Sequence, residues 1–277
     1  MEFHLTFAYA VFLPILGAAV AILGTLVGLG GGFILMPILL FLFPEAPPAT
    51  ITTISLTVVL LNAASATVGN IRERRIDGRT SILLLAGAVP AAIGGAATSL
   101  VVSRNQFESL FGGFLILVAG YVLWRSTKVV PADQSTGHDP NRKIHERQGV
   151  VYLFYINELL AGIISPLAGF ISSFFGIGGG VIHMPALTLV LKMPFKVASA
   201  TSLLVLGATS LTAILTLSFS GVSHESWRMA GLLGLGALLG AQIGIHFGSR
   251  VNSKALLILL SAAMVLVGLR QLMQGLS

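Results

Sequence analysis

The sequence predicts an all-α integral membrane protein. It should be built from two inverted repeats of five segments each, four long helices and one short half-helix after a glycine-rich break. Three observations predict this. The 277 residues are 55% hydrophobic and only 9% charged, with a mean hydropathy of +0.93, whereas a soluble domain carries about 25% charged residues. One stretch is written twice: Gly28-Leu29-Gly30-Gly31-Gly32-Phe33-Ile34-Leu35-Met36-Pro37 recurs as Gly176-Ile177-Gly178-Gly179-Gly180-Val181-Ile182-His183-Met184-Pro185, at one offset of 148 positions throughout. The basic residues lie in loops between apolar runs, where they act as topology signals rather than as a nucleic-acid surface, despite a formal net charge of +6.

The elements follow in order. Residues 7–27 are long enough to cross a bilayer, which takes about 20 residues, and Pro14 can bend them. Lacking a basic leader region, the first 26 residues read as a membrane helix and not as a cleaved signal. Residues 28–32 should be extended or coiled, and 33–43 form an apolar segment of half the crossing length, stopped by Pro44, Pro47 and Pro48. Residues 51–69 cross with Thr52, Thr53, Ser55, Thr57 and Asn62, and 70–80 form a basic loop. Residues 81–102 cross with Gly87, Gly94 and Gly95, small residues that let membrane helices approach closely. Residues 107–124 cross again, and a polar connector follows.

The pattern then restarts. Residues 150–175 are expected to cross, 176–180 to break and 181–191 to form a second short segment. Residues 198–219, 227–247 and 255–273 complete the set. The divisions are a first membrane repeat over 1–125, a cytoplasmic connector over 126–149 and a second repeat over 150–277. Trp124, Trp227 and Tyr121 read as interface anchors. Asn157 and Glu158 are placed in the first third of a long helix, as a proton relay or an interfacial anchor. Gln242 and His246 are weaker polar candidates.

Charge sets the relative orientation of the halves. If each short segment completes a crossing, every half crosses an odd number of times and the second half is inverted. With the 70–80 loop inside, all of the 16 lysines and arginines except Arg104, Arg228 and Arg270 are then cytoplasmic. If the short segments dip and return, Lys192, Lys196, Arg250 and Lys254 join Arg104 outside. The positive-inside rule favours inversion, with both termini outside.

Each short segment spans ~16 Å as a helix, so its N-terminus should lie near the membrane midplane. The first amides of a helix have no intrahelical partner, and the end carries about half a positive charge. Glycine keeps a Cβ out of a ligand's way, and two such ends facing one cavity form an anion site. The candidate binding set is Gly28, Gly30, Gly31 and Gly32 with Thr53, Ser55 and Asn62, and Gly176, Gly178, Gly179 and Gly180 with Thr201, Ser202 and Thr209. Asn62 and Thr209 match across the repeat and also suit helix–helix hydrogen bonds. His183 is the one titratable residue in a short segment; it is either a proton-coupling group or a hydrogen-bonded structural histidine. For Gly87, Gly94, Gly236 and Gly240 the packing reading is preferred.

The doubled G-x-G-G-G…P stretch with its following Thr-Ser element resembles the sulfite exporter TauE/SafE family over nearly the whole chain. The first copy departs where Ile54 interrupts the Thr-Ser seen at Thr201-Ser202. The resemblance implies transport of sulfite, thiosulfate, sulfonates or related small organic anions, often outward. The residues alone give an anion, a midplane site and an inverted repeat. A passive anion channel or a carboxylate transporter uses the same lining. An enzyme is disfavoured, since no paired carboxylate, Ser/His/Asp set or His/Glu metal motif stands at suitable spacing. No cysteine supplies a disulfide or thiolate site. The expected partners are the small anionic substrate and the lipid bilayer, with no nucleic acid, no cofactor, no metal and no nucleotide loop after the glycines.

Overall fold

A computed structural model describes residues 7–27, 30–126, 140–219, 224–247 and 253–276. The first half comprises α1 (Phe7–Val27), the short α2 (Gly32–Leu42), α3 (Pro48–Arg72), α4 (Gly78–Val101) and α5 (Arg104–Ser126). The second comprises α6 (Glu158–Phe175), the short α7 (Gly180–Pro185), α8 (Phe195–Ser218), α9 (His224–Phe247) and α10 (Ser253–Leu276). A wider π-helical turn, Ala186–Val190, continues α7. Together they occupy the same positions after the glycines as α2 does. Four of the described helices, α3, α4, α6 and α8, are long and apolar enough to cross a membrane outright. The chain is an all-α membrane protein.

Between the halves lies an element the sequence reading did not expect. Strands β1 (Arg142–His145) and β2 (Val151–Phe154) form an antiparallel hairpin in which Arg142 faces Phe154 and His145 faces Val151. The expected crossing over 150–175 is therefore corrected: helix begins only at Glu158. Gly149, at φ +86°, closes the hairpin turn. Asn157 caps α6 by accepting the Leu160 amide at 3.2 Å. Glu158, first residue of that helix, pairs with Arg142 at 2.7 Å and Arg79 at 3.2 Å. The carboxylate is thus a surface anchor at a helix end.

Small residues decide which helices touch, because lipid is as apolar as leucine and offers no hydrophobic gain for association. The α1–α9 seam is made by Gly236 against Pro14 and Ala18, Gly240 against Ala18, and Gly244 against Ile22 and Thr25. These residue numbers rise together, so the two helices run parallel. The α4–α6 seam also runs parallel: Ser165 donates to the Leu84 carbonyl, Gly87 lies on Pro166, and Gly95 on Phe170 and Phe174. In α5 and α10 the numbers run oppositely, with Gly112 on Gly268 and Leu272 and Gly275 on Asn105 and Ser109. Helix α3 runs parallel to α9, as Leu61 meets Gly234 and Ser65 meets Gln242. The other principal contacts are α3 with α8 and α4 with α8. Exchanging the halves maps the α1–α9 pair onto α6–α4 and the α3–α9 pair onto α8–α4, while α3–α8 and α5–α10 map onto themselves.

Phe107 and Phe111 of α5 pack with Phe174 and Phe175 of α6, and Phe114 stacks on Phe175. Large apolar side chains left outside, among them Ile82, Leu117, Ile163 and Leu239, mark the lipid-facing surface.

Candidate binding site at the paired glycine breaks

The described part of the first break is held against α1. The Gly30 amide donates to the Gly24 carbonyl at 3.2 Å, and Gly31 lies beside the Val20 carbonyl. Gly31 therefore lies about 10 Å back along α1 from its end at Val27, seven residues of helix rise, where α2 begins. Gly30 and Gly31 have φ of +82° and +79°, conformations that a side chain resists. The Gly31 carbonyl then accepts the Ile34 and Leu35 amides, both at 3.1 Å, and starts the helix. Gly28 lies outside the described residues.

The second break folds back along α6 in the same way. Gly176 caps α6 at φ +67°, the Ile177 amide donates to the Ser172 carbonyl at 3.2 Å, and Gly178 has φ +74°. Gly179 is right-handed, at φ −61°, and its carbonyl accepts the His183 amide at 2.7 Å. The amides of Gly32 and Phe33, and of Gly180 and Val181, belong to first helical turns and have no intrahelical acceptor.

The two breaks touch. A Cβ on Gly32 would collide with the Ile177 carbonyl and stand 2.6 Å from Val59 Cγ2. One on Gly178 would stand 2.6 Å from both Val59 and Leu206, and one on Gly30 would stand 2.5 Å from Leu206. Val59 on α3 and Leu206 on α8 are wholly buried and fill the seam between the breaks. They stand at matching places in the two halves, at the same offset that aligns Ser55 with Ser202 and Asn62 with Thr209. Sequence reading missed both, because an apolar residue on a buried helix carries no mark of its own. Their alignment after the Ser55 and Ser202 positions was the available signal.

Polar side chains of α3 hold the breaks. Ser55 donates to the Gly176 carbonyl at 2.6 Å, and Thr52 contacts the Phe174 carbonyl at 3.5 Å. Asn62 donates to the Gly30 carbonyl at 3.0 Å and accepts from Thr25 at 3.1 Å. The remaining candidates behave differently. Thr53 and Thr209 donate to carbonyls of their own helices. Thr201 accepts the Asp77 amide at 3.2 Å, at the start of α4. Ser202 Oγ is buried with no partner among the described residues, as are Ser172, Ser173 and Ser210. His183 is buried, with Nδ1 3.2 Å from the Gly179 carbonyl and Nε2 3.4 Å from Ser165 Oγ. Ser165 and Ser172, neither anticipated, thus flank the ring and the break.

No charged side chain enters this set, and among the described residues no cluster of His, Asp and Glu could hold a metal ion. What the centre offers is backbone dipoles, hydroxyls and an apolar plug, inside a bundle of membrane-crossing helices. That is the class of a membrane transporter. The family model "Sulfite exporter TauE/SafE" matches residues 13–271. The chain belongs to the sulfite exporter TauE/SafE family. The chain is 28% identical over 271 residues to "Probable membrane transporter protein YunE" of Bacillus subtilis, covering 96% of this chain and 98% of that protein. A "Probable membrane transporter protein" of Methanocaldococcus jannaschii is 30% identical, covering 99% of this chain and 100% of that one. "Sulfite exporter TauE/SafE family protein 5" of Arabidopsis thaliana is 34% identical over 87 residues, 31% of this chain and 19% of the plant protein. No solved structure matches.

Proposed function

We propose that the protein is a secondary transporter that carries a small sulfur-containing anion, such as sulfite, thiosulfate or a sulfonate, outward across the cytoplasmic membrane with a proton. The anion is taken between the first-turn amides of α2 and α7, where the two breaks meet. The observation that carries this reading is the contact of Gly32 with Ile177 across the Val59–Leu206 seam. Two chain breaks that are costly in lipid meet at one point, held by Ser55 and Asn62. With no fixed cation there, binding rests on dipoles and hydroxyls and stays reversible, as a carrier needs. The buried apolar plug of Val59 and Leu206 favours alternating exposure of the seam over an open pore.

An inverted arrangement of the halves is part of this reading. It is supported by the antiparallel run of α5 against α10, which correspond in the two halves, and by α3 running parallel to α9. Short segments that dipped and returned would reverse both relations. It is further supported by Lys196 and Thr201 contacting Glu146 and Asp77, since a parallel arrangement would put the start of α8 on the side opposite the 70–80 loop.

The test is flux in proteoliposomes with sulfite, thiosulfate, sulfonates and carboxylates, beside two glycine variants. Gly31→Ala should abolish saturable sulfite flux while the protein still inserts, because alanine resists φ near +79° and its methyl would sit 3.0 Å from the Val20 carbonyl. Gly236→Ala should lower thermal stability, since its methyl collides with the Pro14 carbonyl. Normal sulfite affinity and flux in Gly31→Ala would remove the anion from the breaks.

A further inference from the structure

We infer that the protein carries a second anion site, formed by Arg75, Lys196 and Tyr152 and filled in this structure by its own Glu146 carboxylate. Three separate parts of the chain converge there. Arg75 comes from the α3–α4 link, Tyr152 from β2 and Lys196 from the first turn of α8. The Glu146 side chain has no exposed surface. Arg75 donates from Nε to Oε1 at 2.6 Å and touches the same oxygen with a second nitrogen. Tyr152 donates to Oε2 at 3.0 Å, and Lys196 Nζ stands 3.8 Å from Oε1. Two cations and a hydroxyl donor around two oxygens on one negative centre are the recognition set of a small oxyanion. The other carboxylate nearby, Glu73, stands 3.9 Å from Arg75.

The occupant comes from the hairpin turn. Glu146 opens the hairpin turn: its amide donates to the Val150 carbonyl at 2.9 Å and its carbonyl accepts the Gly149 amide at 3.0 Å. The turn is pinned to the first half where the Arg147 amide donates to the Glu73 carbonyl at 3.0 Å. The Lys196 side chain is half exposed, so the cradle borders solvent on that side. Rotation of the Glu146 side chain out of the cradle leaves Arg75 of one half, Lys196 of the other and the Tyr152 hydroxyl around a place that a free carboxylate, sulfite or sulfonate fits, with Glu73 the remaining carboxylate at 3.9 Å from Arg75. The transported anion is the natural occupant; that clause and the KM readout below rest on the transport reading, and a wild type without sulfite flux fails that reading alone while the acetate response still decides the cradle.

The experiment replaces the missing side chain by a free ion. Full-length Glu146→Ala in detergent should unfold at a lower temperature than wild type. Acetate at constant ionic strength, balanced with chloride, should raise its midpoint saturably, by at least threefold more than it raises that of wild type. Arg75→Gln in the same background should abolish the response, and Gly31→Ala should leave it intact. A midplane failure and a cradle failure are therefore told apart. If Glu146→Ala does not fold, Glu146→Gln keeps the shape and removes the charge. Its KM for sulfite presented on the hairpin side should then fall at least threefold. An acetate response equal to wild type, a response that survives Arg75→Gln, or an unchanged KM in Glu146→Gln would make the cluster a structural staple only.

Discussion

At the scale of single residues, His183 is the sharpest case. Its ring is enclosed by its own helix and by Ser165, whose hydroxyl is itself 2.5 Å from the Leu84 carbonyl. With Ser165 donating to Leu84, the His183 Nε2 faces a hydroxyl oxygen free to accept from it. The first half has Leu35, equally buried, in the matching place, so any proton carried here enters through one half alone. His183→Asn keeps a hydrogen-bonding side chain and removes the titration. If the ring couples proton to anion, the variant should hold sulfite affinity within about threefold and lose the pH dependence of flux. Unchanged pH dependence in vesicles with imposed gradients would leave the ring a structural role. The glycines show how far sequence reaches at this scale. Gly30, Gly31, Gly176 and Gly178 stand out because three glycines in apolar sequence signal irregular backbone, and all four have positive φ. Gly179 belongs to the same triplet yet is right-handed, and a methyl there would stand 2.6 Å from His183 Nδ1. Spacing could not separate these two reasons for glycine. Nor could it tell that an alanine at a packing glycine such as Gly236 meets a carbonyl oxygen rather than an open groove.

At the scale of elements, the helices were legible and the hairpin was not. The run Val150–Phe154 is too short for a period of two to declare itself, and it merges with the apolar run of α6. The Asn157-Glu158 pair is a helix start by residue type, a capping side chain followed by an acidic first turn. That signal was available and outweighed by apolar length. The hairpin is held by charge as much as by pairing. Besides the Glu146 cluster, buried Arg142 stands 3.4 Å from Asp77 and bonds Glu158. Burial pushes the Glu146 carboxyl up, but hydrogen bonds from Arg75 and Tyr152 and the charges of Arg75 and Lys196 hold it below the usual carboxylate range. A carboxyl whose folded pKa lies below its unfolded value contributes stability that is complete above the unfolded pKa. That contribution is lost as pH falls through the folded one. Hydrogen exchange of the hairpin amides should therefore stay slow down to about pH 4, the ordinary carboxylate value, and quicken below it. Glu146→Gln should exchange faster at neutral pH and show no such acid step. An acid step of equal size in that variant would assign the effect to other carboxylates.

At the scale of the whole molecule, the prediction concerns which ends share a side. Lys192 is exposed between the second short segment and α8, at φ +53°. In the inverted arrangement it shares the cytoplasmic face with Arg75 and the hairpin. A cysteine placed at Lys192 in this cysteine-free chain should resist impermeant thiol reagents in intact cells and react once the membrane is opened. Ready labelling from outside would overturn the arrangement. The repeat and its charge bias were readable because they are written in order and spacing. The pairing of α1 with α9 and of α4 with α6 was not, because glycines on several helices look alike until one is seen against its neighbour.

The hairpin is the one described element with no counterpart when the halves are exchanged. A carrier made of two equivalent inverted halves would be degenerate: its two orientations, seam open to either side, would have equal free energy and equal occupancy. On the transport reading, the hairpin adds to the asymmetry of the side chains by tying the α3–α4 link to the start of α8 on one face only. Each kilocalorie it contributes to the tied orientation shifts the resting population by a factor of about five. In such a carrier the anion gradient would set which way net flux runs, and a single β-hairpin would bias which way the empty carrier waits.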